Sequence, residues 1–304
     1  MGLQARPLFS FPANVPIGQD DERAELVLAA EHSGFDLFSL QDHPYNAELI
    51  EAYAGTAFLL GRTTSIGGYV GVTNLPLRPA PVLARTAAAL TAQSNRRFAL
   101  GLGSGGFWQH IPRMGPQPLT PRQAVDAFEE AILVVRGLTG GPGAPMDFEG
   151  EHYRVGHLAP AAVPPPPIWT GAGGARTLAI TGRLADGWIP QRGADWLSAT
   201  FRDGRARIDD AARAAGRDPA EIITLVNFGG VLANRDLPRT RSGDGRWVGG
   251  SARQWVAELT SAVTEHGVEG FNTGITDENG AVSTDLLRRF GDEVIAPVRA
   301  ARRD

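Results

Sequence analysis

The chain has 304 residues, a net charge of −4, 42% hydrophobic and 20% charged residues. That fits a globular protein with a sizeable core and leaves no basic field for nucleic acid. It has neither cysteine nor lysine, which excludes disulfides, thiolate chemistry, a lysine Schiff base and a Walker-type phosphate lysine.

Met1 to Pro12 carries one arginine and no long apolar run. No signal peptide and no span of ~18 apolar residues is expected, so a cytoplasmic location follows. From Pro7 onward, short apolar runs alternate with helical periodicity. The run Pro7 to Phe11 precedes a helix over about 20–33, and Phe35 to Leu40 precedes one over about 47–61. Ser65 to Val72 leads to a helix from Pro79, with Val82, Leu83, Thr86, Ala87 and Leu90 on one face. Phe98 to Leu102 is followed by Thr120-Pro121-Arg122-Gln123, a capping box with proline at the first helical position; that helix ends at Gly140-Gly141-Pro142-Gly143.

Residues 141–167 break the rhythm, with a small hairpin around Gly150 and four consecutive prolines, Pro164 to Pro167. They read as an insertion rather than a domain, because no separate core accompanies them. The alternation resumes with Ile168 to Thr170 and a helix over 174–182, then Gly187 to Pro190 and a helix over about 194–215. Ile222 to Val231, a polar loop over 234–250 and a helix over 251–266 follow. Gly270 to Thr273 and a helix over about 283–299 complete the chain. Eight strand–helix units imply parallel strands and favour a single (β/α)8 TIM barrel with a small insertion before strand five; an open doubly wound sheet is the competing α/β fold.

In either fold ligands sit at the C-terminal ends of the strands. Strand two ends in Gln41-Asp42-His43-Pro44-Tyr45, a carboxylate beside an imidazole suited to acid–base work, or a solvated turn. Strand three ends in Val70-Gly71-Val72-Thr73, where Gly71 suits a bulge or the close approach of a ligand. Strand four runs into Gly103-Ser104-Gly105-Gly106-Phe107-Trp108, whose open amides suit a flat ring or an anion. No helix follows at once, so it is no dinucleotide fingerprint. Strand five runs into Gly171-Ala172-Gly173-Gly174 and then a helix, an arrangement that suits a phosphate. Gln191 and Arg192 close strand six, and Asn227 lies near the end of strand seven. His110 lies just past the glycine loop, and the histidines show no metal-ligand spacing.

These motifs, in this order, resemble the luciferase-like superfamily of flavin- and deazaflavin-dependent oxidoreductases. The likeness is carried by Arg78-Pro79-Ala80-Pro81-Val82-Leu83-Ala84-Arg85, Arg97 to Gly103, Phe148 to Tyr153, and Pro167 to Gly174 through Gly182 to Trp188. Asp42-His43-Pro44 resembles the branch that uses the deazaflavin coenzyme F420. The resemblance implies that Asp42 and His43 contact the ring as the catalytic pair. Val70, Gly71 and Thr73 would back the ring, with the family's non-proline cis peptide expected at Val70-Gly71. Gly103, Ser104, Gly105 and Gln191 would line the cofactor, and Gly171, Ala172, Gly173 and Gly174 its phosphate-bearing tail. Trp108, His110, Arg192 and Asn227 would face the substrate.

The sugar-phosphate dehydrogenases of that branch carry a glutamate where this chain has Gly106, and their phosphate-binding lysines have no counterpart here. A more apolar or aromatic substrate is therefore expected. The leading function is hydride transfer between reduced F420 and a small organic substrate, by a cofactor whose chemistry the protein orients. The alternatives are an FMN-dependent monooxygenase using O2 and a non-catalytic flavin-binding barrel. A homodimer is expected from the same resemblance, and no metal or membrane partner.

Overall fold

The computed structural model describes residues 6–191 and 195–301. Twelve strands occur among them: β1 (Leu8–Pro12), β2 (Leu37–Leu40), β3 (Gly67–Val70), β4 (Thr73–Asn74), β5 (Phe98–Gly103), β6 (Met146–Glu149), β7 (Arg154–Leu158), β8 (Ile168–Thr170), β9 (Gly187–Trp188), β10 (Ile223–Ala233), β11 (Gly249–Ser251) and β12 (Gly270–Thr276). The helices are α1 (Asp20–His32), α2 (Ala52–Arg62), α3 (Ala80–Gln93), α4 (Pro121–Thr139), α5 (Ala175–Leu184), α6 (Ala199–Ala214), α7 (Ala252–His266), α8 (Thr284–Phe290) and α9 (Ala296–Ala300).

Eight strands, in the order β1-β2-β3-β5-β8-β9-β10-β12, pair in parallel, and β12 pairs with β1 to close the ring. The fold is a (β/α)8 barrel, as the alternation of strands and helices requires once the sheet closes on itself. β4 continues β3 beyond a bulge and pairs with β5, while β11 pairs with the extension of β10. The hairpin β6–β7 stands outside the barrel within 141–167. Glu130 of α4 accepts the amides of Glu151, His152 and Tyr153 and so anchors its turn.

Period-two alternation sorts the strand residues into two cores. Leu8, Tyr69, Ala99, Trp169, Ile189, Ile223 and Leu225 fill the barrel, with Tyr69 and Trp169 edge to face at 5.3 Å. Phe9, Phe38, Phe98 and Phe271 point outward and meet Phe128, Trp255 and Phe290 from the helices.

The helix starts follow local chemistry. Thr120 and Gln123 form the expected capping box. α2 begins at Ala52, later than the periodicity suggested, because Glu51 caps it by accepting the Ala54 amide at 2.6 Å. α6 likewise waits for its cap, Ser198. Residues 41–51 are thereby freed as a mouth loop. The last helical stretch includes a π segment over Gly291–Ile295, where Gly291 lies against the Ser33 carbonyl. No helix among the described residues is long and apolar enough to cross a membrane.

At the opposite end of the barrel Glu31 accepts the amides of Thr64, Ser65 and Ile66. Burial pushes its carboxyl up, but these bonds outweigh it and hold the group at about 2. A depressed folded-state pKa stabilises above the ordinary 4.5, and that stabilisation disappears as pH falls towards 2. Glu31→Gln is therefore expected to lower the urea midpoint at neutral pH and to flatten its decline over that acid range. A parallel acid decline in both proteins would refute this.

Candidate active site

The C-terminal ends of the strands bring the glycine motifs together. The cis peptide is Gly71-Val72, one residue beyond the expected Val70-Gly71. Val70 is fully buried among the outward-facing core residues, whereas Val72 packs with the barrel interior. The bulge residue that reaches the mouth is therefore Val72 and not Val70, because Tyr69 already occupies the inward position and alternation turns Val70 outward. A Cβ built on Gly103 would lie 2.8 Å from a Val72 methyl, and one on Gly171 2.9 Å from it. Glycine at both positions lets Val72 lie across the ends of β5 and β8 and leaves a floor of backbone and methyl groups.

Thr73 also differs from expectation. It is buried, and its hydroxyl shares a 2.6 Å hydrogen bond with the Tyr53 hydroxyl of α2, so it faces the helix layer.

Gly171, Ala172, Gly173 and Gly174 lead into α5. Ala172 is buried and its carbonyl accepts the Trp188 indole at 2.9 Å. Gln191 lies over Gly173, where a Cβ would come within 2.2 Å of the Gln191 amide carbon. The first amides of α5 have no intrahelical acceptor, although the Thr177 hydroxyl takes that of Gly174 at 3.1 Å. Arg192 lies outside the described residues.

Asp42 is held differently from a ring-facing acid. Its side chain is 1% exposed. One oxygen accepts Arg78 Nε at 2.8 Å and the Asn74 amide at 2.9 Å, and the other accepts Arg78 Nη2 at 2.6 Å. Arg78 also pairs with Glu51 and lies 4.4 Å from the Tyr53 ring centroid. Charge-assisted bonds from both sides occupy the carboxylate, which ties the end of β2 to the loop after β4.

His43 is half-buried. Its Nδ1 is 2.7 Å from the Tyr45 hydroxyl, and Phe107 meets the ring edge-on at 5.1 Å. His110 stacks on Tyr45 at 5.0 Å, so it supports the aromatic wall. Burial pushes the imidazole pKa down, against the opposing pull of Asp42. Trp108 packs over Gly105, which has positive φ, and Ser104 lies half-buried before it. Gly106 is exposed, with open space where a side chain would stand.

Asn227 is joined to a polar layer in the barrel. Its Oδ1 accepts Asn272 Nδ2 at 2.9 Å, and Ser39 donates to Asn272 Oδ1 at 3.1 Å. The hydroxyls of Ser10 and Tyr69 lie buried nearby, and burial pushes the Tyr69 phenol up to about 12. Sequence reading missed Ser39, Asn272, Arg78 and Tyr45. The first two were readable as polar residues at inward positions of otherwise apolar strands; the other two stand within the quoted motifs, but nothing local marks their partners.

The fold is a closed parallel (β/α)8 barrel, and the imidazole, glycine floor and helix start form a candidate site at its C-terminal mouth, where enzymes of this fold carry theirs. The luciferase-like monooxygenase family model matches residues 13–236. The chain belongs to that family. Similar relatives include the F420-dependent glucose-6-phosphate dehydrogenase of Nakamurella multipartita, 29% identical over 86% of this chain and 76% of the relative. Another is the F420-dependent hydroxymycolic acid dehydrogenase of Mycobacterium tuberculosis, 32% identical over 71% of this chain and 60% of the relative. Among solved structures, an F420-dependent secondary alcohol dehydrogenase in complex with an F420-acetone adduct superimposes with a TM-score of 0.78 at 18% identity, covering 98% of this chain and 100% of that one. The F420-dependent tetrahydromethanopterin reductase of Methanopyrus kandleri gives 0.77 at 18% identity, over 96% and 99%.

Proposed function

We propose that the protein is an F420-dependent oxidoreductase that interconverts an apolar carbonyl compound and its alcohol. The observation that carries this is the glycine-lined floor at Val72, facing a mouth that His43 shares. A planar ring fits such a floor, and a phosphate-bearing tail fits the start of α5. Two of the similar relatives are F420-dependent dehydrogenases by name.

F420 supplies the hydride chemistry when bound. Val72, Gly103 and Gly171 support the ring; Gly173, Gly174 and Gln191 meet the tail. His43 presents Nε2 to the oxygen of the substrate, where a proton is held or exchanged. Asp42 is a positioning residue, since Arg78 and Asn74 already occupy its oxygens. Tyr45 and Phe107, with His110 stacked on Tyr45, form an aromatic wall and exclude water.

An apolar substrate is favoured over a sugar phosphate by the rim. Ile17, Phe107, Met114, Leu197 and Val248 are exposed on four loops that follow barrel strands, Phe107 and Met114 sharing the one after β5, Gly106 offers no acid, and the chain has no lysine to meet a phosphate. A homodimer working in the cytoplasm completes the reading, to be checked by sedimentation and cell fractionation.

The test is titration of the purified protein with F420 and, separately, with FMN. Micromolar affinity for F420 with much weaker FMN binding is expected. Preference for FMN would replace the proposal by a flavin-dependent monooxygenase, and failure of both would leave only the fold.

A further inference from the structure

We infer that Tyr45 fixes the tautomer of His43, so that the neutral imidazole carries its proton on Nε2 and offers the substrate a hydrogen-bond donor. Tyr45 is thus a positioning residue for the site proposed above, and its role there rests on that reading. A site so arranged is set to bind a carbonyl oxygen and the alkoxide that develops from it, which makes a ketone or aldehyde the substrate class taken up at neutral pH.

The backbone amide of Asn74 is committed to Asp42. Asn74 Nδ2 faces the Gly106 carbonyl at 3.4 Å. A carbonyl only accepts, so this contact sets which end of the amide is the NH2. Asn74 Oδ1 is buried and receives no donor. The Tyr45 proton is therefore not on Asn74 Oδ1. The phenol proton is left for its other neighbour, His43 Nδ1, at 2.7 Å. An Nδ1 that accepts leaves the ring proton on Nε2. Among the described residues His43 Nε2 has no hydrogen-bond partner, and Phe107 edge-on and His110 behind Tyr45 hold both rings in place.

The protonation states agree with this chain. Burial, reinforced by Asp42, raises the Tyr45 phenol and keeps it a donor. Burial also lowers the His43 imidazole against Asp42 and keeps the ring neutral. Asp42, with its partner Arg78, and Tyr45 are the ionisable groups nearest the ring; His110 and Arg113 lie one ring beyond. To protonate His43 at Nδ1, the phenol must give up its bond and turn its proton elsewhere, so the donor chain favours the neutral ring.

The experiment reads the ring nitrogens of His43 by ¹⁵N–¹H correlation NMR in the cofactor-free protein, assigned with His43→Gln. Wild type is expected to show one neutral tautomer, protonated on Nε2. Tyr45→Phe keeps the aromatic wall and removes the donor. It is expected to shift the Nδ1 resonance, raise the His43 midpoint by about one pH unit, and lower turnover about tenfold at unchanged cofactor affinity, the loss of one hydrogen bond. A proton on Nδ1 in wild type, or a Tyr45→Phe ring whose shifts and midpoint match wild type, would overturn the inference. The reading needs no cofactor, so failure of F420 to bind would refute the proposed function while leaving the tautomer result intact.

Discussion

His43→Gln is expected to lower turnover by about 10²–10⁴-fold, the usual loss when a positioned acid–base or donor group is removed. Affinity for F420 should change little, because the floor under the proposed ring is built from Val72, Gly103 and Gly171 and not from residue 43. No neighbour can substitute. Asp42 is closed off by Arg78 and the Asn74 amide, Tyr45 is raised by burial and stays protonated, and His110 is stacked on Tyr45. Steady-state reduction of an apolar ketone with reduced F420, alongside equilibrium cofactor binding, separates the two quantities. Turnover within threefold of wild type would show that His43 is not at the reacting centre. Loss of binding without loss of turnover at saturation would move it to the cofactor side.

Arg78→Met is expected to destabilise the protein by about 3–5 kcal/mol at neutral pH, the cost of leaving one member of a buried pair uncompensated. Asp42 is 1% exposed and Arg78 21%, so water cannot replace the guanidinium at both carboxylate oxygens. Only the Asn74 amide would remain as a donor. The double variant Asp42→Leu/Arg78→Met should recover a large part of the loss, because it removes the stranded charge as well as its partner. Urea unfolding of wild type, single and double variants closes the cycle. A single-variant loss below about 1 kcal/mol would mean that the pair behaves as a solvated surface bridge. Since Asp42 and Asn74 flank His43 and Tyr45, Arg78→Met should also broaden the His43 resonances.

The two predictions share a cause. The loop that carries His43 is pinned by an arginine from the other side of the bulge, and the bulge carries Val72, the floor of the proposed site. Stability and site geometry therefore rest on the same few hydrogen bonds.

What the sequence determined by itself was the alternation of elements and the places where chemistry gathers. Eight apolar runs separated by helical periods leave a parallel sheet as the arrangement that buries them, and the threonine–proline–glutamine start of α4 is a local signal that needs no neighbours. The glycine clusters at 71, 103–106 and 171–174 were legible because glycine is costly unless a backbone must come close, and each does lie at a strand end. The tertiary structure alone decided which face each residue presents and who its partner is. Val72 rather than Val70 reaches the mouth, because a bulge shifts the alternation by one residue; Gly71 marks the bulge in the sequence but not which neighbouring valine it turns inward. Thr73 turns to Tyr53, twenty residues away, and Asp42 to Arg78, thirty-six away. The partners of buried polar groups are set by three-dimensional proximity, and a carboxylate next to a histidine in sequence gives no hint that an arginine across the barrel rim has already claimed it.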